Sequence, residues 1–147
     1  MFLGQYRHTL DNKGRITIPA RFREMLEDGA YIIQGFDRNL RLMTANAFEY
    51  VSQGVNKMSI TDPVTRQLRR LIFASANQVE LDSVGRILIP QFLREFAGLE
   101  DDAVIVGVGD AVEIWSPQVW DSQAVLMQDA ESNAERFKLL DLPPGQA

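Results

Sequence analysis

Hydrophobic and polar positions along this chain switch between two periods, and the switches delimit its elements. Tyr6 to Leu10 alternates as a strand with one wet face, and Arg15 to Ile18 does so after the tight Asn12-Lys13-Gly14 stretch. The two runs are expected to form a hairpin. Pro19 suits a first helical turn, where a missing N–H is harmless, and Phe22, Met25 and Leu26 follow at helical spacing. Tyr31 to Phe36 and Asn39 to Met43 read as two further strands joined near Asp37-Arg38. Thr44 or Asn46 can cap a helix through Phe48 and Val51, with Gly54 ending or interrupting it and Val55 to Ile60 as an unpatterned connector. Thr61-Asp62-Pro63 starts another helix, with Leu68, Leu71 and Ile72 on one face. Arg66, Arg69 and Arg70 share a different face and are expected to pack on acidic neighbours rather than on phosphate.

The second half repeats the first. Leu10-Asp11-Asn12-Lys13-Gly14-Arg15-Ile16-Thr17-Ile18-Pro19 returns as Leu81-Asp82-Ser83-Val84-Gly85-Arg86-Ile87-Leu88-Ile89-Pro90, with Leu, Asp, Gly, Arg, both Ile and Pro unchanged. Such a duplication dictates architecture before anything else does. Arg23-Glu24 matches Arg94-Glu95 in the same register, and Phe92, Leu93 and Phe96 continue the second helix. Ala30-Tyr31-Ile32-Ile33 resembles Ala103-Val104-Ile105-Val106 after a small insertion, while Asp37, Leu42, Met43 and Phe48 parallel Asp110, Ile114, Trp115 and Trp120. Each copy therefore reads as hairpin, short helix, two strands and a longer helix, over residues 5–52 and 76–123. Residues 53–75 form a connecting helix, and 124–147 a C-terminal helix and tail. Ser116-Pro117 opens the last helix, expected to run to about Leu140, with Trp115 and Trp120 in the core or a subunit contact. Leu142-Pro143-Pro144-Gly145 is expected to fray.

Gly14 and Gly85 fit turn positions that need positive φ. Asp11 and Asp82 can accept hydrogen bonds from the turn amides, or pair with the arginine four positions on. His8 reads as a surface strand residue.

Length and composition narrow the picture. A unit of under about 50 residues buries too little surface to stand alone without a disulfide or a metal. With no cysteine and one histidine, neither staple is on offer, so the copies should share one core with interleaved strands. No apolar run reaches the roughly 18 residues of a membrane span, and Met1-Phe2-Leu3-Gly4 does not begin a signal peptide. The net charge of −5 argues against nucleic acid until its distribution is considered. Residues 1–75 carry 11 Lys and Arg against 7 Asp and Glu, whereas residues 76–147 carry 4 against 13. A polyanion would be met by the first half. There Arg7, Lys13, Arg15, Arg21 and Arg23 crowd the first turn; in the second copy only Arg86 and Arg94 remain, and Val84 replaces Lys13.

Enzymatic signals are missing. There is no cysteine nucleophile, no HExxH and no Walker loop, and Gly107-x-Gly109 is a turn. Asp11 and Asp82 could be brought together for acid–base work, but both have structural duties.

The two D-x-x-G-R frames, the opening Met-Phe-x-Gly, the helix Arg69-Arg70-Leu71-Ile72-Phe73-Ala74-Ser75-Ala76 and Glu113-Ile114-Trp115 resemble the MraZ transcriptional regulators, over nearly the whole chain to about Trp120. The resemblance implies an α+β protein with a mainly β core: two tandem AbrB-like swapped-hairpin units forming one pseudo-two-fold β-barrel with flanking helices. It further implies a ring-shaped homo-oligomer, an octamer, that binds double-stranded DNA at direct repeats in the promoter of the division and cell-wall operon. Such proteins repress that operon, their own gene included, and are located in the cytoplasm and nucleoid. No cofactor, metal, membrane or small-molecule substrate is expected, and no catalytic residue. Carried onto this chain, the motif positions are Asp11, Gly14, Arg15, Asp82, Gly85 and Arg86. Arg15 would read a guanine edge, with Arg7, Lys13, Arg21 and Arg86 as further DNA contacts. Other readings are an AbrB-type antitoxin or sporulation regulator, and a protein-binding scaffold that uses the acidic half.

Overall fold

The computed structural model describes residues 1–143 and 145, in two units, Met1–Pro117 and Gln118–Ala147. Part of the fraying tail expected at 142–145, namely Pro144, lies outside the described residues.

The first copy comprises β1 (Gln5–Thr9), β2 (Arg15–Thr17), α1 (Ala20–Leu26), β3 (Ala30–Gln34), β4 (Leu40–Thr44) and α2 (Ala45–Asn56). After α3 (Pro63–Ser75) the same order returns as β5 (Asn77–Val79), β6 (Arg86–Leu88), α4 (Gln91–Ala97), β7 (Asp102–Gly107), β8 (Val112–Trp115) and α5 (Pro117–Gln128). The expected order of elements holds in both copies. It is a mixed α+β fold organised around β structure.

The strands interleave. A six-stranded antiparallel sheet runs β1-β7-β8-β4-β3-β5, so the first strand of each copy pairs with the third strand of the other. β2 and β6 form a separate two-stranded ribbon. Both arrangements read the same after the copies are exchanged. The pseudo-two-fold axis passes through Ile16↔Ile87 in the ribbon and Arg41↔Glu113 in the sheet. At the second crossing an identical pair of subunits would place like charges face to face. The fused chain carries Arg41 on one side and Glu113 on the other, 3.8 Å apart.

Two expectations change here. Tyr6–Leu10 and Arg15–Ile18 are strands, but their only mutual strand contact is the bridge Leu10↔Ile16. Beyond the turn they diverge, β1 to β7 over five residues and β2 to β6 over three. A hairpin closed within one small unit would leave its apolar face uncovered; pairing across copies merges the two faces into one core. Nor do the pairings close into a barrel, since β1 and β5 remain as sheet edges.

That core is built from alternation. In β2 and β6 the central Ile16 and Ile87 point inward, joined by Ile18 and Ile89, and all four are at most 1% exposed. They share one cluster with Phe22, Leu93, Ile32, Leu42, Ile105 and Ile114. Phe2 and Tyr6 meet Phe22 edge-on. On the opposite face of the sheet, Ile33 and Met43 pack with Phe48 and Val51 of α2, and Phe48 stacks on Tyr31 at 4.5 Å.

Local rules place the helix ends. The Thr44 side chain accepts from the Ala47 amide, and Asp62 from that of Val64. α2 continues through Gly54 to Asn56, because a glycine with open space around it lowers helix stability without blocking it. In α3, Ile72 is buried while Leu68 and Leu71 are half-buried. Two of the three arginines of this region find neutral acceptors rather than acidic ones: Arg66 donates to the carbonyls of Ile60 and Thr61, and Arg69 to Asn56 Oδ1 at 2.7 Å.

In the second unit the helix expected to reach Leu140 stops at Gln128. Asp129 accepts from the Ser132 amide and hydroxyl and caps a new helix, α6 (Ala130–Phe137), followed by a short 3₁₀ turn. A good cap inside an apolar-poor segment outweighs weak helical continuity. No helix among the described residues is long and apolar enough to cross a membrane.

Candidate nucleic-acid interface

Each D-x-x-G-R frame folds into the same tight loop. The Asp11 amide donates to Arg15 O and the Gly14 amide to Asp11 O, both at 3.0 Å. Asp82 and Gly85 repeat this with Arg86 O and Asp82 O. The glycines adopt φ of +84° and +82°, a region that favours glycine.

The aspartates use both oxygens. Asp11 Oδ1 accepts the Lys13 and Arg15 amides at 3.0 and 2.9 Å, while Oδ2 accepts Arg15 Nε at 2.7 Å. Asp82 does the same for Val84, Arg86 and Arg86 Nε. Turn stabilisation and ion pairing, alternatives on sequence grounds, thus operate together. The Arg15 amide, and then its guanidinium, hold the Asp11 carboxyl down to about 2. Asp82 is lowered from its ordinary value by the Arg86 amide first and its guanidinium next.

The two loops meet on the ribbon. Arg15 lies opposite Leu88 and Thr17 opposite Arg86, and these four side chains share the outer face because Ile16 and Ile87 take the inner one. Arg86 Nη1 reaches Asp11 Oδ2 at 3.8 Å, so Asp11, Arg15, Asp82 and Arg86 form one charge cluster. Arg15 is half-buried, and its Nε is fixed by Asp11. Among the described residues no partner in the chain engages its two terminal nitrogens. A guanidinium oriented at Nε with its outer fork uncommitted can accept a planar, bidentate ligand.

The remaining predicted contacts come from neighbouring elements. Lys13 is exposed at the loop tip, and Arg21 is exposed on α1. Arg7 is exposed on edge strand β1, lining a hollow with His8, Thr9 and Asp102. In the second copy the positions of Lys13, Thr17 and Arg21 are taken by Val84, Leu88 and Phe92, all exposed. The pseudo-symmetric surface is basic on one side and apolar on the other.

Two further arginines, outside the predicted contacts, bear on the loops. Arg23 and Arg94 each donate from Nε to a carbonyl of their own copy, Ile18 O at 2.8 Å and Ile89 O at 3.0 Å. Each guanidinium then lies against the glycine of the opposite loop. A methyl group on Gly14 would sit 2.5 Å from Cζ of Arg94, and one on Gly85 would overlap Arg23 likewise. The Ile89 amide donates to Gly14 O, and the Ile18 amide to Gly85 O, both at 2.9 Å. Arg23, counted among the cations of the first loop, therefore serves the second. Its recurrence as Arg94 in the repeat was the signal available in the sequence.

A hollow of about 590 Å³ beside the second loop is lined by Arg23, Glu27, Asp28, Glu80 and Asp82 among others, a poor match to a polyanion. Among the described residues no group of three or more His, Asp or Glu is placed to hold a metal ion.

Comparison with known proteins agrees with the doubled architecture. The family model described as "MraZ protein, putative antitoxin-like" matches twice, at residues 1–71 and 72–141. Curated relatives named transcriptional regulator MraZ include those of Roseiflexus castenholzii, 47% identical over 97% of this chain and 99% of that protein, and of Thermomicrobium roseum, 45% identical over 95% and 99%. That of Desulfitobacterium hafniense is 40% identical over 91% and 94%. The solution structure of PHS018 from Pyrococcus horikoshii overlaps 78% of this chain and 88% of that one at 15% identity and a TM-score of 0.33, too low to bear on the fold. On the strength of both family matches and these near full-length relatives, the chain belongs to the MraZ family.

Proposed function

We propose that this protein is a DNA-binding transcriptional regulator that reads promoter repeats with its first D-x-x-G-R loop. One observation carries the reading: Arg15 stands on the outer face of a two-stranded ribbon, held at Nε by Asp11, with its terminal nitrogens unengaged among the described residues. A β-ribbon fits the major groove, where guanine presents O6 and N7 to such a fork. Arg7, Lys13 and Arg21 supply phosphate contacts and set the register. Arg86 is held at Nε by Asp82 in the same way, but its Nη1 also lies 3.8 Å from Asp11 Oδ2 and its setting is less basic and more apolar, so it makes the lesser contribution.

The regulator names of the relatives support this reading, as does the positive balance of residues 1–75. The repeat units are residues 5–52 and 76–123, joined through 53–75. One loop offers few contacts and so a weak hold. A ring of subunits, an octamer by family resemblance, engages successive direct repeats and raises the effective concentration of each loop. Repeats near one helical turn apart, about 10 bp, place the loops on one face of the duplex. The regulated genes are the division and cell-wall operon with the protein's own gene, and the effect is repression.

Acid–base catalysis is the weaker reading, because Asp11 and Asp82 are both lowered and both paired to arginine, which makes them poor proton acceptors at neutral pH. The test is a gel shift on the upstream repeats at matched salt. Arg15→Ala should lose binding to the specific sequence, and Lys13→Ala should weaken all sequences alike while making the salt dependence shallower. Parent-like binding by Arg15→Ala would remove the readout assignment.

A further inference from the structure

We propose that Arg94 is a positioning residue for DNA reading: the second copy holds the reading loop of the first in its binding shape. The inference rests on the reading of Arg15 given above. Gly14 sits at the centre of the loop that presents Lys13 and Arg15, and both external restraints on it come from the other copy. The Ile89 amide donates to Gly14 O at 2.9 Å, and the Arg94 guanidinium covers the face where a Cβ would be. Arg94 is itself fixed, since its Nε donates to Ile89 O at 3.0 Å. The restraint therefore forms a closed circuit of Gly14, Ile89 and Arg94.

Arg23 makes the mirror-image circuit with Ile18 and Gly85, and this symmetry supplies an internal control. Removing either arginine takes away the same hydrogen bond and the same cover. The hydrogen bond lost lies within the arginine's own copy, whereas the cover is lost from the opposite loop, so only Arg94→Ala uncovers the loop that bears Lys13 and Arg15. An affinity difference between the two variants thus reports the loop served rather than the stability lost.

The physical basis is preorganisation. A loop already in its bound conformation does not spend binding free energy on ordering. Arg94 lies flat on the chain with its Nε committed, and acts through the loop rather than on a phosphate. The arrangement also gives the second copy, poor in cations around its own loop, a direct part in binding.

The experiment titrates a duplex selected by the protein from a randomised pool with the full-length chain and its Arg94→Ala, Arg94→Lys, Arg23→Ala and Arg15→Ala variants at several salt concentrations. Thermal melts of each accompany the titrations. Arg94→Ala should lose roughly tenfold in affinity, the worth of one charge-assisted hydrogen bond, with an unchanged salt slope. Arg23→Ala should lose less at a similar melting temperature. Arg94→Lys keeps the charge without the planar Nε donor, and should fail to restore binding; it also serves if Arg94→Ala does not fold. In an Arg15→Ala background the effect of Arg94→Ala should largely vanish. A salt slope shallower by about one would make Arg94 a phosphate contact and overturn the proposal. Equal losses for Arg23→Ala and Arg94→Ala, full rescue by lysine, or losses that add to that of Arg15→Ala would also overturn it. Should Arg15→Ala bind as the parent does, the DNA-reading assignment falls first, and the positioning role with it.

Discussion

Gly14→Ala isolates the central contact of the fold. Two costs can be worked from the structure. At φ +84° the glycine occupies a conformation that costs an L-residue about 1–2 kcal/mol. The new Cβ would also stand 2.5 Å from Arg94 Cζ and 2.6 Å from its Nε, so the guanidinium must shift, and we expect the shift to break its bond to Ile89 O. That bond is partly buried and charge-assisted, worth about 1–2 kcal/mol at such a site. The sum is about 2–4 kcal/mol, to be read from urea denaturation at fixed protein concentration. The second cost belongs equally to Arg94→Ala. The double variant should therefore fall short of the summed single losses by about 1 kcal/mol, the signature of a shared contact. A loss below about 0.5 kcal/mol for Gly14→Ala, or simple additivity with Arg94→Ala, would refute the cross-copy contact.

Further predictions address other parts of the fold. Because Asp11 falls from 3.8 unfolded to about 2 folded, its contribution to stability is complete above roughly pH 5 and is lost as pH drops toward 2. Acid titration of Asp11→Asn should accordingly show a flatter stability curve over that window, and an unchanged curve would contradict the pairing. Ser75→Ala leaves the Gln34 amide without the hydroxyl that accepts it at 3.0 Å, and should cost about 1–3 kcal/mol by chemical denaturation; a neutral outcome would mean that water replaces the hydroxyl. Glu113→Arg puts two cations opposite each other on the pseudo-axis and should destabilise by up to about 1 kcal/mol. The exchanged pair Arg41→Glu with Glu113→Arg should recover part of that loss in the same assay, and no recovery would count against the pairing.

Much of this could be read from the residues because the physics was local. Glycine at Gly14 and Gly85, the aspartate three positions before each, and proline at Pro19 and Pro90 set the loops and the helices that follow. Alternation in Arg15 to Ile18 and Arg86 to Ile89 marked the buried isoleucines. What stayed hidden was choice of partner. A period of two says which face of Tyr6 to Leu10 is buried but not which strand lies beside it, so β1 on β7 could not be told from β1 on β2. The role of Arg23 was hidden likewise, because its target loop lies about 60 residues downstream in sequence. The break at Asp129 was present as a capping aspartate three residues before Ser132, but the apolar positions around it did not change period.

The claim on which the account depends is that Arg15 meets a guanine edge in the major groove. Dimethyl sulfate footprinting tests this directly, because the reagent attacks guanine N7. The parent protein, bound to its selected duplex, should protect at least one guanine in each repeat, and Arg15→Ala should leave that guanine reactive at a concentration where the fragment is still occupied. Protection that persists without the Arg15 side chain, or no protected guanine in any repeat, would contradict it.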